Sequence, residues 1–333
     1  MRVKTRAPLA VALAVITGLV AACGGDEGAA TESSAQAKAC GPDGEYVIGM
    51  SQANNAEPYR ERMNDDIRTA AEAVPQFQVE FADAAQDNAK QVSDVENFLT
   101  QQIDLLIISP NEAAPLTAVV KKAYDQKIPV IVLDRKVEGD AYTTFIGADN
   151  LEIGKQAGQY VAEELLPDGG SVVEIKGLPG STPAQERSDG FKEGIAGNPA
   201  VKISATGVGD WLRDKGQQQA EAILQAEDDV DVVYSHNDPM AEGAYLAADA
   251  AGRLDGLEII GIDALPIPAG GIKAVEEGRL SATFTYPTGG KEAVEAAKKL
   301  LIDCAELPKE QILETQRITE ENAADVYSEL NRR

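Results

Sequence analysis

Leu105-Leu106-Ile107-Ile108 is an unbroken apolar run that stops on Ser109-Pro110-Asn111, and the same pattern recurs along the chain. Pro129-Val130-Ile131-Val132-Leu133 stops on Asp134-Arg135, Val232-Val233-Tyr234 on Ser235-His236-Asn237-Asp238, and Ile259-Ile260-Gly261-Ile262 on Asp263. Short continuous apolar runs separated by helical stretches read as parallel strands buried on both faces. Open parallel sheets hold ligands in the crevice outside the carboxyl ends of their strands. The polar stops therefore mark where a ligand is to be sought.

Working outward, strands are expected near 46–51, 78–83, 105–109, 129–134, 143–147, 171–176, 201–206, 231–235, 258–262, 280–286 and 311–318. Helical patterns fill the gaps, and Pro58, Pro115 and Pro239 sit at helix starts, where a missing N–H costs nothing. The class is α/β with right-handed crossovers. Eleven strands make an implausibly wide single sheet, so the reading is two doubly wound parallel-sheet lobes joined by a multi-strand hinge. Residues 45–148 plus 287–315 are assigned to an N-terminal lobe, and 149–286 plus 316–333 to a C-terminal lobe. The crossings fall near Gly147–Asn150, Pro287–Gly290 and Glu314–Gln316, with the ligand between the lobes.

Bulk properties narrow the function. A net charge of −25 argues against nucleic acid, whose phosphates require clustered Lys and Arg. One His and three Cys leave little for a transition-metal site, and no cofactor is expected. At the N-terminus Arg2, Lys4 and Arg6 precede the apolar stretch Leu9–Val20, as in a secretory signal over residues 1–22. Leu19-Val20-Ala21-Ala22-Cys23 resembles a bacterial lipobox, which implies lipid on Cys23; the alternative is an ordinary signal cut after Ala22. Residues 23–43 are small, polar and aperiodic, as a flexible tether should be. Both readings place the protein outside the cytoplasm.

Cys40 precedes the first strand, and Cys304 ends the helix expected over 289–303. The two meet only if that helix returns to the first lobe. A disulfide there suits an extracytoplasmic protein and leaves Cys23 free for lipid; the alternative is two unpaired thiols.

Several segments together resemble the periplasmic sugar-binding proteins of ABC transporters, in the ribose-, galactose- and galactofuranose-binding group with its type 1 periplasmic binding fold. They are Ser51-Gln52-Ala53-Asn54-Asn55, Val132-Leu133-Asp134-Arg135, Ala184-Gln185-Glu186-Arg187-Ser188-Asp189-Gly190-Phe191, His236-Asn237-Asp238-Pro239-Met240 and Gly261-Ile262-Asp263. Glu57-Pro58-Tyr59-Arg60 looks closer to the galactofuranose branch than to ribose binders. The resemblance implies a monomer that closes two lobes on a monosaccharide and docks on an ABC permease and its ATPase. An alternative of another class is a receptor that presents the sugar to a membrane signalling partner.

A sugar is held by planar Asp, Asn and Arg groups along its hydroxyl edge and by aromatic walls on its C–H faces. By the family's pattern Asp134 and Arg135 take one edge, Arg187 is the second-lobe arginine, and Asn237 and Asp263 come from the opposing strand ends. Tyr59 and Trp211 are the expected stacking walls, with Trp211 on a surface loop. Arg60 reaches in from the first lobe, Asn55 is the ligand candidate of the first turn, and Tyr286 stands where ribose binders carry a polar hinge contact. Bland alternatives exist: Asp134–Arg135 as a structural ion pair, Arg187 as a solvated helix residue, Tyr59 and Trp211 as core. His236, the lone histidine, reads as structural. Catalysis is not expected. There is no Gly-x-Ser-x-Gly elbow, and Gly177-Leu178-Pro179-Gly180-Ser181-Thr182 lacks the Gly-Lys-Ser/Thr ending of a phosphate loop.

Overall fold

The computed structural model describes residues 40–332. The expected signal peptide, Cys23 and most of the tether therefore lie outside the described residues. The chain winds β1 (Tyr46–Gln52), α1 (Pro58–Glu72), β2 (Phe77–Asp83), α2 (Asn88–Thr100), β3 (Leu105–Ile108), α3 (Ala113–Asp125), β4 (Val130–Leu133) and β5 (Thr144–Ala148). A second winding follows: α4 (Asn150–Tyr160), β6 (Gly170–Lys176), α5 (Thr182–Ile195), β7 (Val201–Val208), α6 (Arg213–Ala226), β8 (Val232–Ser235), α7 (Asp238–Ala250), β9 (Glu258–Ile260) and α8 (Gly271–Glu276). Then come β10 (Thr283–Phe284), α9 (Gly290–Leu301), β11 (Glu310–Leu313), β12 (Arg317–Ile318) and α10 (Ala323–Leu330).

A six-stranded parallel sheet has the order β11-β5-β4-β3-β1-β2, and a four-stranded one has the order β7-β6-β8-β9. We call each sheet with its covering helices a lobe. Strands β3, β4 and β5 are buried at every position, which is why they read as continuous apolar runs; the edge strands β2 and β7 are partly exposed. The expected strand over 311–318 is two strands. β11 pairs with β5 in the first sheet, β12 pairs antiparallel with β10, and residues 314–316 lie between them. The expected strand over 280–286 is shorter as well, with only Thr283 and Phe284 in a ladder and isolated bridges from Ala282 and Thr285 to Ile260 and Asp263.

Helix α9 packs on α1 of the first lobe, which meets the condition for pairing the thiols. Cys40 and Cys304 form a disulfide with a Cα–Cα separation of 5.5 Å, and the Gly41 amide beside it donates to Leu301 O at 2.8 Å. Helices α4 and α5 cross closely because glycines line their contact. A Cβ on Gly154 would fall 2.4 Å from the Arg187 carbonyl, and one on Gly190 would fall 2.0 Å from that of Leu151. That crossing fixes the backbone of Arg187. No helix among the described residues is long and apolar enough to cross a membrane.

Candidate functional site

The carboxyl ends of the strands in both lobes converge on a small cavity of about 20 Å³. Its walls are Glu57, Tyr59, Arg60, Asp134, Arg135, Pro183, Arg187, Trp211, Asn237, Asp263 and Tyr286. Nine of the ten residues named from the sequence thus meet at one place, although they span more than two hundred positions. The space holds a water-sized group, so a monosaccharide enters only when the walls part.

Asn55 is the residue not brought there. It is exposed and its side-chain oxygen accepts from Asn64 Nδ2 at 2.8 Å. Glu57, two residues on, takes the place at the cavity. It is the N-cap of α1, and Asn54 Nδ2 holds its carboxylate at 2.8 Å. The signal that could have found it is Pro58: a proline at the first helical position leaves the preceding residue in an extended backbone at the mouth of the crevice.

Asp134 is the hub of the first lobe. Its carboxylate lies 2.7 Å from Arg60 Nη1, accepts from Ser109 Oγ at 3.1 Å and accepts from the Tyr286 hydroxyl at 2.8 Å. Burial raises the carboxyl, but Arg60 and Arg135 outweigh it and hold Asp134 below its ordinary value. Burial lowers the Arg60 guanidinium, and Asp134 more than reverses this. Arg135 is pushed down to about 10 by burial and the adjacent Arg60 cation, so it stays charged at neutral pH. The polar chain continues through the hinge. Asn150 Nδ2 donates to the Tyr286 hydroxyl at 3.1 Å, and Arg187 Nε donates to Asn150 Oδ1 at 2.8 Å. The arginines of the two lobes are therefore oriented by one connected network.

Trp211 is not on a surface loop: it is 3% exposed. Two guanidinium groups lie over its ring, with Arg135 Cζ at 5.2 Å and Arg187 Cζ at 5.5 Å from the centroid. Asn237 holds it there, donating from Nδ2 to the Trp211 carbonyl at 3.0 Å while Oδ1 caps α7 through the Met240 amide. On the other side Tyr59 packs on Tyr286 with centroids 5.4 Å apart and donates to the Pro287 carbonyl at 3.2 Å. Asp134, Trp211 and Asp263 all have positive φ (66°, 73° and 133°), the strained backbone that clusters where side chains are aimed at ligands. Arg60 Nε and Trp211 Nε1 are buried donors without an acceptor among the described residues, and hydroxyl oxygens can satisfy both.

Asp263 accepts no side-chain hydrogen bond among the described residues. Burial and the neighbouring Asp238 raise its carboxyl well above the usual range. Asp238 is itself pushed up to about 6 by burial, although Thr283 Oγ1 and the Ala264 amide donate to it at 2.7 Å each. Both values lie above those of the unfolded chain. The stability they contribute is complete below about pH 4 and is lost as the pH rises through about 6 and beyond. The thermal midpoint should therefore fall as the pH rises from about 4 through about 6 and beyond, and Asp263→Asn should make that fall smaller. Melts of both proteins across this range test it; parallel curves refute it.

His236 is fully buried in the floor of the second lobe. Its Nδ1 accepts from the Gly177 amide at 3.3 Å, which leaves Nε2–H to donate to Glu174 at 3.0 Å. Burial lowers its pKa, which favours the neutral ring that this pairing requires.

A profile of the periplasmic binding protein domain matches residues 48–303. The ribose import binding protein of Bacillus subtilis (strain 168) is 31% identical over 259 residues, which cover 77% of this chain and 82% of that protein. Among solved structures, the fructose-binding periplasmic domain of a hybrid two-component system superposes with a TM-score of 0.83 at 40% identity, covering 86% of this chain and 95% of that one. A Mycobacterium smegmatis protein in complex with β-D-fucofuranose superposes with a TM-score of 0.81 at 31% identity, covering 86% and 95%.

Proposed function

The chain belongs to the periplasmic binding protein domain family, and on that premise we propose that it is the extracytoplasmic sugar-binding subunit of an ABC importer. It binds a monosaccharide of the ribose, galactose or galactofuranose kind and delivers it, chemically unchanged, to a permease. The observation that carries this reading is the cavity wall, in which planar Asp, Asn and Arg groups and the aromatic rings of Tyr59, Trp211 and Tyr286 come together from both lobes. Asp134, Arg135 and Arg60 bind from the first lobe, and Arg187, Trp211, Asn237 and Asp263 from the second. Tyr59 and Tyr286 close the hinge side. Glu57 replaces Asn55 as the ligand residue of the first turn. The lipobox-like run ending at Cys23 supports a mature protein tethered by lipid to the outer face of the membrane.

The test is a thermal-shift screen of the protein lacking residues 1–23 against ribose, fructose, galactose, arabinose and polyols. A ligand at 100 times its dissociation constant adds about 2.7 kcal/mol of stability. Arg135→Ala should remove the shift while leaving the protein folded. A screen in which no sugar moves the midpoint sinks the proposal. The likeness to a two-component receptor domain favours one second reading, a sensor that reports the sugar to a signalling partner. Neighbouring genes for a permease and an ATPase distinguish importer from sensor.

A further inference from the structure

The segment Gly177-Leu178-Pro179-Gly180-Ser181-Thr182 leaves β6 and enters α5, and none of its residues lines the sugar cavity. It nevertheless touches both lobes. At its start the Gly177 amide donates to His236 Nδ1 at 3.3 Å, and Gly177 lies against the Trp211 ring, where a Cβ would fall 2.2 Å from ring carbons. Ser181 donates to the Leu178 carbonyl through its amide at 3.0 Å and its hydroxyl at 2.6 Å, which folds the middle into a turn. At that turn the Gly180 carbonyl accepts from the amide of Ala113, the first residue of α3 in the other lobe, at 3.0 Å. Gly180 also sits on the Glu112 carboxylate, where a Cβ would fall 1.9 Å from Oε2. At the end of the segment Thr182 Oγ1 accepts from the Lys136 amide at 3.0 Å, and Lys136 Nζ reaches Glu186 at 3.3 Å.

Two backbone amides of the first lobe thus find their acceptors on the second, and Lys136 is the residue directly after Arg135. When the lobes part, both amides return to water. We propose that residues 177–182 are a closure strap, a device outside the cavity that couples the Trp211 wall to the Ala113 and Lys136 amides and sets how long a bound sugar is held. The proposal rests on the sugar-binding reading above. A sugar seated on Trp211 steadies the start of the strap, and the strap's far end latches the lobe that carries Asp134 and Arg135. Contacts made only in the closed form favour that form without touching the ligand. Their loss falls on the dissociation rate and spares association.

Stopped-flow binding of the sugar that gives the largest thermal shift tests this. Thr182→Val removes the acceptor for the Lys136 amide and should raise Kd about fivefold, through koff alone. Thr182→Ser keeps the acceptor and should bind like the wild type. Gly180→Val wedges the strap off Glu112 and should raise Kd about tenfold or more. The thermal midpoints without sugar should match the wild type. Unchanged koff in both Thr182→Val and Gly180→Val overturns the strap alone, and so does a loss confined to kon. A wild type that binds no sugar overturns the strap together with the function it rests on.

Discussion

Replacing Asp134 by alanine should abolish sugar binding and also lower the stability of the sugar-free protein. The carboxylate is 3% exposed and is the only anion within ion-pair distance of either Arg60 or Arg135 among the described residues. Its removal leaves two buried guanidinium groups without an ion-pair partner and leaves the Tyr286 hydroxyl only the longer bond to the Asp134 carbonyl, at 3.3 Å. Breaking a buried pair from one side costs about 3–5 kcal/mol. At about 2–4 °C per kcal/mol this lowers the thermal midpoint by roughly 10 °C. If the same groups must be aimed at the ligand, affinity falls by at least about a hundredfold. Asp134→Asn keeps the shape and some acceptor capacity, so it should lose affinity with a smaller drop in midpoint. Because the folded carboxyl is held below its ordinary value, this stability is present above about pH 4 and lost as the pH falls. Calorimetric melts and titrations of both variants check it. Wild-type affinity in Asp134→Ala would remove Asp134 from the binding site.

The second large effect concerns stability alone. A Cys40→Ser, Cys304→Ser double variant should melt roughly 5–15 °C lower and bind sugar with unchanged affinity. The bond joins residues 264 positions apart, so cutting it frees a very long loop in the unfolded chain, worth about 2–5 kcal/mol. It lies where β1 begins and after α9 ends, away from the strand carboxyl ends where the cavity forms. Reductant should reproduce the shift in the wild type and leave the double variant unaffected. An unchanged midpoint would mean that the bond constrains nothing; a loss of affinity would mean that it is coupled to closure.

The opposite behaviour of the acidic residues shows how burial divides them. Asp134 sits between two guanidinium groups and is stabilised as an anion. Asp263 and Asp238 lie close to each other, with Arg187 offsetting them only in part, and both are raised. A sugar hydroxyl that donates to Asp263 would supply what the protein withholds.

Much of this was legible in the chain itself. Apolar runs ending in Ser109, Asp134-Arg135, Asn237 and Asp263 are what a parallel sheet buried on both faces looks like, because buried strand interiors favour apolar side chains and strand ends face the crevice. The disulfide was legible as a condition, the return of α9 to the first lobe. What local pattern could not decide was direction. Asn54, Asn55 and Glu57 are three polar residues in one turn; only the packed turn shows Asn55 facing Asn64 and Glu57 at the cavity. Flanking polar residues place Trp211 on a surface, whereas the packing of the two lobes buries it under Arg135 and Arg187. The run 311–318 looked like one strand because periodicity does not record which sheet a residue joins. The sequence by itself determined the elements, the class and the residues at the strand ends, since these follow from short-range patterning and burial. Only the tertiary structure decided which of those ends meet, through the Asp134–Tyr286–Asn150–Arg187 network and the strap over 177–182, because those contacts join residues far apart in the chain.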